Sequence, residues 1–189
     1  MTPGMLVPYR ITICGLSELC EYATAGVTHV LTIIDPELPD PEDFALYGPH
    51  RRMVWRFHDT ILDAPDMVPP TPADVTAILE FGAGVRDEPI EHLLIHCHMG
   101  ISRSTAAAAI LMAQFNPGRE ADAFGHLRAI RAWSWPNSRM VGLADDLLGR
   151  DGALVAALRA HHHTVARAFP WRAEELLLGE RAGELPPDL

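Results

Sequence analysis

Short apolar runs alternate with longer amphipathic stretches through the first two-thirds of the chain. Ile11-Thr12-Ile13-Cys14 and Val30-Leu31-Thr32-Ile33-Ile34 are β-branched runs of strand length. Between them Gly15-Leu16-Ser17-Glu18 opens a stretch that reads as a helix closing at Gly26. Residues 52–57 put Met53, Trp55 and Phe57 on one face of a third strand, and residues 90–95 form a fourth apolar run. Thr71-Pro72-Ala73-Asp74 has the chemistry of a helix start: a hydroxyl cap, proline in the first turn and an acid three residues on. Thr105 to Met112 is rich in alanine and large aliphatics, the composition of a buried helix. Beyond it the pattern is helical only, over 119–133, 138–148 and 153–168, and proline-rich loops fall at 36–41 and 65–72. Alternating strands and helices predict an α/β fold: a central, mostly parallel sheet of about four to five strands. Helices are expected on both faces, with a helical C-terminal part. The expected organisation is one domain over 1–150 and a helical extension over 151–189, packed on it or trailing from it.

Composition narrows the function classes. With 189 residues and 48 % hydrophobic content, the chain can fill one core. A net charge of −10 argues against general nucleic-acid binding, which needs a basic face. No apolar run reaches the length of a membrane span, and Met1 to Met5 lack the basic start of a signal peptide. Three cysteines, an odd number without zinc-type pairing, point to reduced thiols in the cytoplasm. Every fixed cation is an arginine; the chain has no lysine. Nothing in the sequence fixes the oligomeric state.

The richest chemistry lies in His96-Cys97-His98-Met99-Gly100-Ile101-Ser102-Arg103-Ser104, between the fourth strand and the buried helix. A loop there wraps backbone N–H groups around an anion, and the helix dipole adds positive potential. A thiol in such a cradle loses its proton readily and becomes a nucleophile. Arg103, at the helix start, can hold two phosphate oxygens with its planar fork. Of the three cysteines only Cys97 has an arginine six positions on, and it also has His96 before it, Gly100 for close backbone approach and a hydroxyl, Ser104, directly after the arginine. The leaving oxygen of a phosphoester also needs a proton donor. Asp59, at the end of the third strand, is the first candidate, with Asp63 and Asp66 as alternatives further along the same loop.

This stretch resembles the phosphate loop of the cysteine-dependent protein phosphatases: His-Cys, five residues, Arg, then Ser or Thr. The likeness is to the compact dual-specificity and bacterial tyrosine-phosphatase-like members. It continues through Ala109-Ile110-Leu111-Met112 and returns at Pro136-Asn137, covering about residues 8–150. The resemblance implies a cysteinyl-phosphate mechanism without cofactor or metal. Cys97 would be the nucleophile, Arg103 the phosphate clamp, Asp59 the acid and then the base, and Ser104 a hydrogen-bond donor to the sulfur. His98, Met99, Gly100, Ile101 and Ser102 would cradle the phosphate. His96 would fix loop backbone, and Asn137 would buttress the loop. Phe57-His58-Asp59-Thr60 looks like the start of the family's acid loop, although this loop is longer than the compact pattern.

The implied substrate is a phosphorylated protein or a small aryl phosphate. With no fixed cation in the loop besides Arg103, a near-neutral pocket suits phosphotyrosine, with phosphoserine or phosphothreonine depending on cleft depth. Two other readings share the Cys-x5-Arg spacing: a redox or sulfur-transfer enzyme, and a catalytically silent phosphate-binding module. His96, Cys97 and His98 alternate faces and make a poor metal site, and His161-His162-His163 reads as a solvated helix surface. Residues 35–43 read as an acidic solvated loop, with Phe44 and Tyr47 as a possible substrate flap. Trp133 and Trp135 are expected to pack rather than to grip substrate.

Overall fold

The computed structural model describes residues 6–84, 90–179 and 181–186. Met1 to Met5, on which the reading of a missing signal peptide rests, lie outside the described residues. Four strands, β1 (Arg10–Cys14), β2 (His29–Ile34), β3 (Arg51–Arg56) and β4 (His92–His96), form one sheet in the order β1-β4-β2-β3. All three pairings are parallel, as connections through helices and long loops require. β2 and β4 are buried along their whole length, which explains their nearly unbroken apolar sequence. β1 and β3 are the edges. Along β3, Trp55 faces the core and Val54 faces solvent, so the alternation read from residues 52–57 holds.

The period of two sorts the central strands onto two cores. Ile13, Leu31, Ile33, Leu93, Ile95 and Cys97 face one side, and Cys14, Val30 and Leu94 face the other. On the first side lies α2 (Arg103–Phe115), where every residue from Arg103 to Ala113 is buried. It is surrounded by α1 (Pro72–Gly84), α3 (Glu120–Ile130) and α4 (Ser138–Leu147). A helix enclosed by three others and a sheet has no polar face, hence its alanine-rich sequence. Thr71 and Asp74 cap α1 reciprocally: Asp74 Oδ2 accepts from the Thr71 amide at 2.9 Å, and Thr71 Oγ1 accepts from the Asp74 amide at 3.3 Å.

The second side is covered by two short 3-10 helices, Leu16–Tyr22 and Glu42–Leu46. The stretch expected to be helical from Gly15 to Gly26 is therefore shorter and tighter than its sequence suggests. The acidic loop is also more anchored than expected. Phe44 is buried against Tyr47 and the His96 ring, so these aromatics serve the core and not a substrate flap.

α5 (Ala153–Ala168) packs on α3 and α4, and α6 (Pro170–Leu177) packs on α5. Here the histidine tract departs from the sequence reading. His161 and His162 are buried, because α5 turns that face inward toward Phe124 and Trp135. The His162 ring stacks on Trp135 with centroids 4.0 Å apart. Among the described residues no cluster of three or more His, Cys, Asp or Glu side chains could hold a metal ion, and no helix is long and apolar enough to cross a membrane.

Candidate active site

β4 ends at His96, and the chain turns through residues 97–102 into α2. Because β4 alternates, Cys97 faces α2 while His96 faces the opposite core, where His96 Nε2 lies 2.8 Å from Thr32 Oγ1. Burial pushes the His96 imidazole down to about 4, so it is a neutral ring at physiological pH. Cys97 Sγ sits 3.2 Å from Ser104 Oγ in the first turn of α2.

Gly100 shapes the loop by what lies behind it. Its φ is +68°, and a Cβ there would fall 2.4 Å from the carbonyl carbon of Cys14. Gly15 is the matching half: its Cβ would fall 2.9 Å from the His98 carbonyl oxygen. The loop after Cys97 and the end of β1 thus approach as bare backbone on both sides, and the Leu16 amide donates to the His98 carbonyl at 2.9 Å. Gly100 itself does not line the pocket; His98, Met99, Ile101 and Ser102 do.

Arg103 is buried. Its Nη1 donates to Asp35 Oδ1 and to the Phe57 carbonyl, both at 2.5 Å, while its Nε has no partner among the described residues. One side of the guanidinium is pinned and another donor is left without a partner, in a residue that lines the same cavity as Cys97. Arg131 holds the outer loop. It forks onto Glu18 at 2.8 and 2.7 Å and donates to the carbonyls of Gly100 and Met99.

Of the three candidate acids, only Asp59 reaches the pocket. Its Oδ1 accepts from Ser102 Oγ at 2.6 Å and from Asn137 Nδ2 at 2.9 Å. Arg181 Nη1 lies 3.2 Å from each of its oxygens and also donates to Ser102 Oγ. Burial works to raise the Asp59 carboxyl, but Arg181, Arg103 and the Ser102 and Asn137 hydrogen bonds outweigh it and hold it below the usual carboxylate range. Asp63 is exposed and paired with Arg139, and Asp66 is exposed; neither lines the pocket.

Asn137 differs from its implied role. Its Oδ1 caps α4 by accepting from the Met140 amide at 3.0 Å, and its Nδ2 holds Asp59 and the Thr60 carbonyl. Its side chain therefore braces the acid and not residues 97–103. Trp135 is buried as expected but also forms part of the pocket wall, whereas Trp133 stands under the Arg131 guanidinium.

Six residues of the site carry no local motif: Glu18, Asp35, Arg131, Arg172, Arg181 and Glu184. Arg172 and Arg181 line the same cavity of about 240 Å³ as Cys97, Asp59 and Arg103. Beyond the loop, the C-terminal segment carries two further guanidinium groups to the cavity, which Asp59 and Glu175 also line.

No family model and no curated protein matches the sequence. Solved structures do match in fold. Tk-PTP in its active form is 19 % identical, with 79 % of this chain and 99 % of that chain covered and a TM-score of 0.54. A human tyrosine phosphatase-like serine/threonine/tyrosine-interacting protein is 19 % identical over 79 % of this chain and 97 % of that one, with a TM-score of 0.55. The PTP-2 phosphatase of Cydia pomonella is 20 % identical over 75 % and 87 %, with a TM-score of 0.58. The four-stranded parallel sheet, with its cysteine loop leading into a buried helix, is accordingly the fold of the tyrosine and dual-specificity phosphatases.

Proposed function

We propose that this chain is a phosphomonoesterase that works through a cysteinyl-phosphate intermediate, with phosphotyrosine or another aryl phosphate as substrate. The observation that carries this reading is the convergence of Cys97, Arg103 and Asp59 on one cavity. The Cys97 thiolate attacks phosphorus, forming the S–P bond as the P–O bond to the leaving group breaks. The leaving oxygen takes a proton from Asp59. Arg103 and the loop amides neutralise the charge spreading over the equatorial oxygens. In the second step water attacks the phosphocysteine, Asp59 accepts its proton, and the thiolate departs with a hydrogen bond from Ser104, releasing inorganic phosphate.

An aryl ester suits this site for a physical reason. Asp59 is held toward its ionised form, so leaving groups that need little protonation are favoured. A phenol, with a pKa near 10, departs more readily than the alcohol of serine or threonine. Redox and sulfur-transfer chemistry on the same spacing has no use for a carboxylate braced opposite the thiol, and a silent binding module has no use for a thiol placed against a hydroxyl. All three cysteines are free, as in a reducing compartment such as the cytoplasm.

The test is turnover of an aryl phosphate in the presence of EDTA by wild type and by Cys97→Ser. Wild type should release phosphate with no added metal. Cys97→Ser should release none while still binding sulfate, since the cradle survives. Wild-type-like turnover by the variant would end the covalent reading.

A further inference from the structure

Arg172 and Arg181 take no part in the steps above, yet both line the cavity. Arg172 comes from the first turns of α6 and is only 6 % exposed. Its Nη1 pairs with Glu175 at 2.5 Å, and its Nε has no partner among the described residues. Arg181 follows α6 in sequence and is fixed by Glu184, which accepts from its Nε at 2.8 Å. Glu184 is held in turn by Trp135 Nε1 at 2.9 Å and the Ser138 amide at 2.8 Å. Burial lowers the pKa of Arg172, Glu175 opposes that, and the charge of Arg181 lowers it further. Glu175, which also lines the cavity, pairs with Arg172, and Asp59 and Glu184 pair with Arg181, so an anion would bind here by exchanging for these carboxylates. The buried Arg172 Nε without a partner adds a cost of its own.

Resting on the phosphomonoesterase reading, we propose that Arg172 and Arg181 form a second anion subsite beside the scissile phosphate. The substrate would be a small soluble molecule with a second phosphate or carboxylate close to the phosphate that is removed. Three observations favour this ligand over others. Arg172 is more than nine-tenths buried, so an acidic residue flanking a phosphotyrosine on a protein surface stays outside its reach. The cavity, at about 240 Å³, is smaller than the roughly 300–1,000 Å³ typical of ligand pockets, which suits a compact molecule. The net charge of −10 opposes docking on an anionic lipid surface.

The subsite also bears on the acid. Asp59 is faced by Arg181 from the C-terminal segment, by Arg103 from α2, by Ser102 from the loop and by Asn137 from the start of α4. A second anion that engages Arg181 draws its charge away from Asp59, and the carboxyl then holds the proton that the leaving oxygen needs. A substrate of the right kind thus recruits the acid that a simple monoester leaves ionised.

The experiment compares phenyl phosphate with 3-carboxyphenyl phosphate and benzene-1,3-diyl bisphosphate. Binding to the full-length Cys97→Ser protein is measured by calorimetry, and turnover is measured with wild type. The second anion should tighten binding about tenfold or more, in line with hydrogen bonds to charged groups. The same preference should appear in kcat/KM. Arg181→Gln and Arg172→Gln should each cut the binding ratio toward one, with circular dichroism confirming the fold. Equal binding of all three ligands by Cys97→Ser would overturn the subsite, whatever the turnover. Absent turnover alongside a preserved binding ratio would overturn the esterase reading and leave the subsite standing. Tighter binding to phosphoinositide-containing vesicles than to the soluble bisphosphate would overturn the soluble source.

Discussion

Asp59 sits between two demands. In the proposed mechanism it donates a proton, whereas the charges around it favour the ion. Activity on a simple aryl phosphate should therefore peak at acidic pH and fall as Asp59 ionises, with the falling limb reporting its pKa in the enzyme. Removing the chief cation reverses the bias: Arg181→Ala should move the falling limb to higher pH. Asp59→Asn should flatten the limb and slow turnover by about 10²–10⁴. Asp63→Asn, which alters only an exposed pair with Arg139, should leave the limb in place. A pH–rate profile for each variant checks all three. Cys97, Arg103 and Asp59 could be located by reading alone because each lies in a local pattern, at a strand end or a helix start. Asp35 and Arg181 could not be, since nothing near them in sequence marks a partner; they meet Arg103 and Asp59 only through the folded chain.

Elements meet at the site through bare backbone, which makes glycine substitutions informative. Gly100→Ala forces a Cβ into the backbone of Cys14 and Gly15 at a left-handed φ, and no flexible side chain is there to give way. Gly15→Ala presses on the His98 and Met99 backbone from the other side. Each should cost about 1–3 kcal/mol and weaken oxyanion binding, whereas Gly26→Ala, facing open space, should leave oxyanion binding intact. Thermal melts with and without sulfate separate the two effects. The strands and α1 to α5 were legible because apolar spacing and caps are local. The tight 3-10 turn after β1 was not, because its shape follows from the docking of Gly15 and Leu16 on the phosphate loop rather than from their own preferences. The buried face of α5 was missed for a related reason: histidine is read as polar, and only the tertiary partners Trp135 and Ser134 make an interior site for it.

Those histidines give the whole molecule a pH dependence. Burial lowers His96 and His161 to about 4 and His162 well below its ordinary value, while all three titrate near 6.5 when unfolded. Between those values the unfolded chain binds more protons, so stability is fully present above about pH 6.5 and drains away as the pH falls toward 4. A loss of a few kcal/mol, or roughly 10 °C in Tm, is expected between pH 7 and pH 5. His161→Gln should recover part of that slope. A calorimetric melt series gives the answer. The interlock of Gly15 with Gly100 has one more consequence, and it concerns time. The back of the Cys97 loop is the end of the first strand, and β1 joins the sheet only by pairing with the last strand, β4. That pairing closes the longest loop in the sheet, and such closures come late and slowly on a folding pathway. Helix signal in α2 can therefore return during refolding before the loop has a wall to lean on, and the capacity to bind an oxyanion should reappear only with the final, global step.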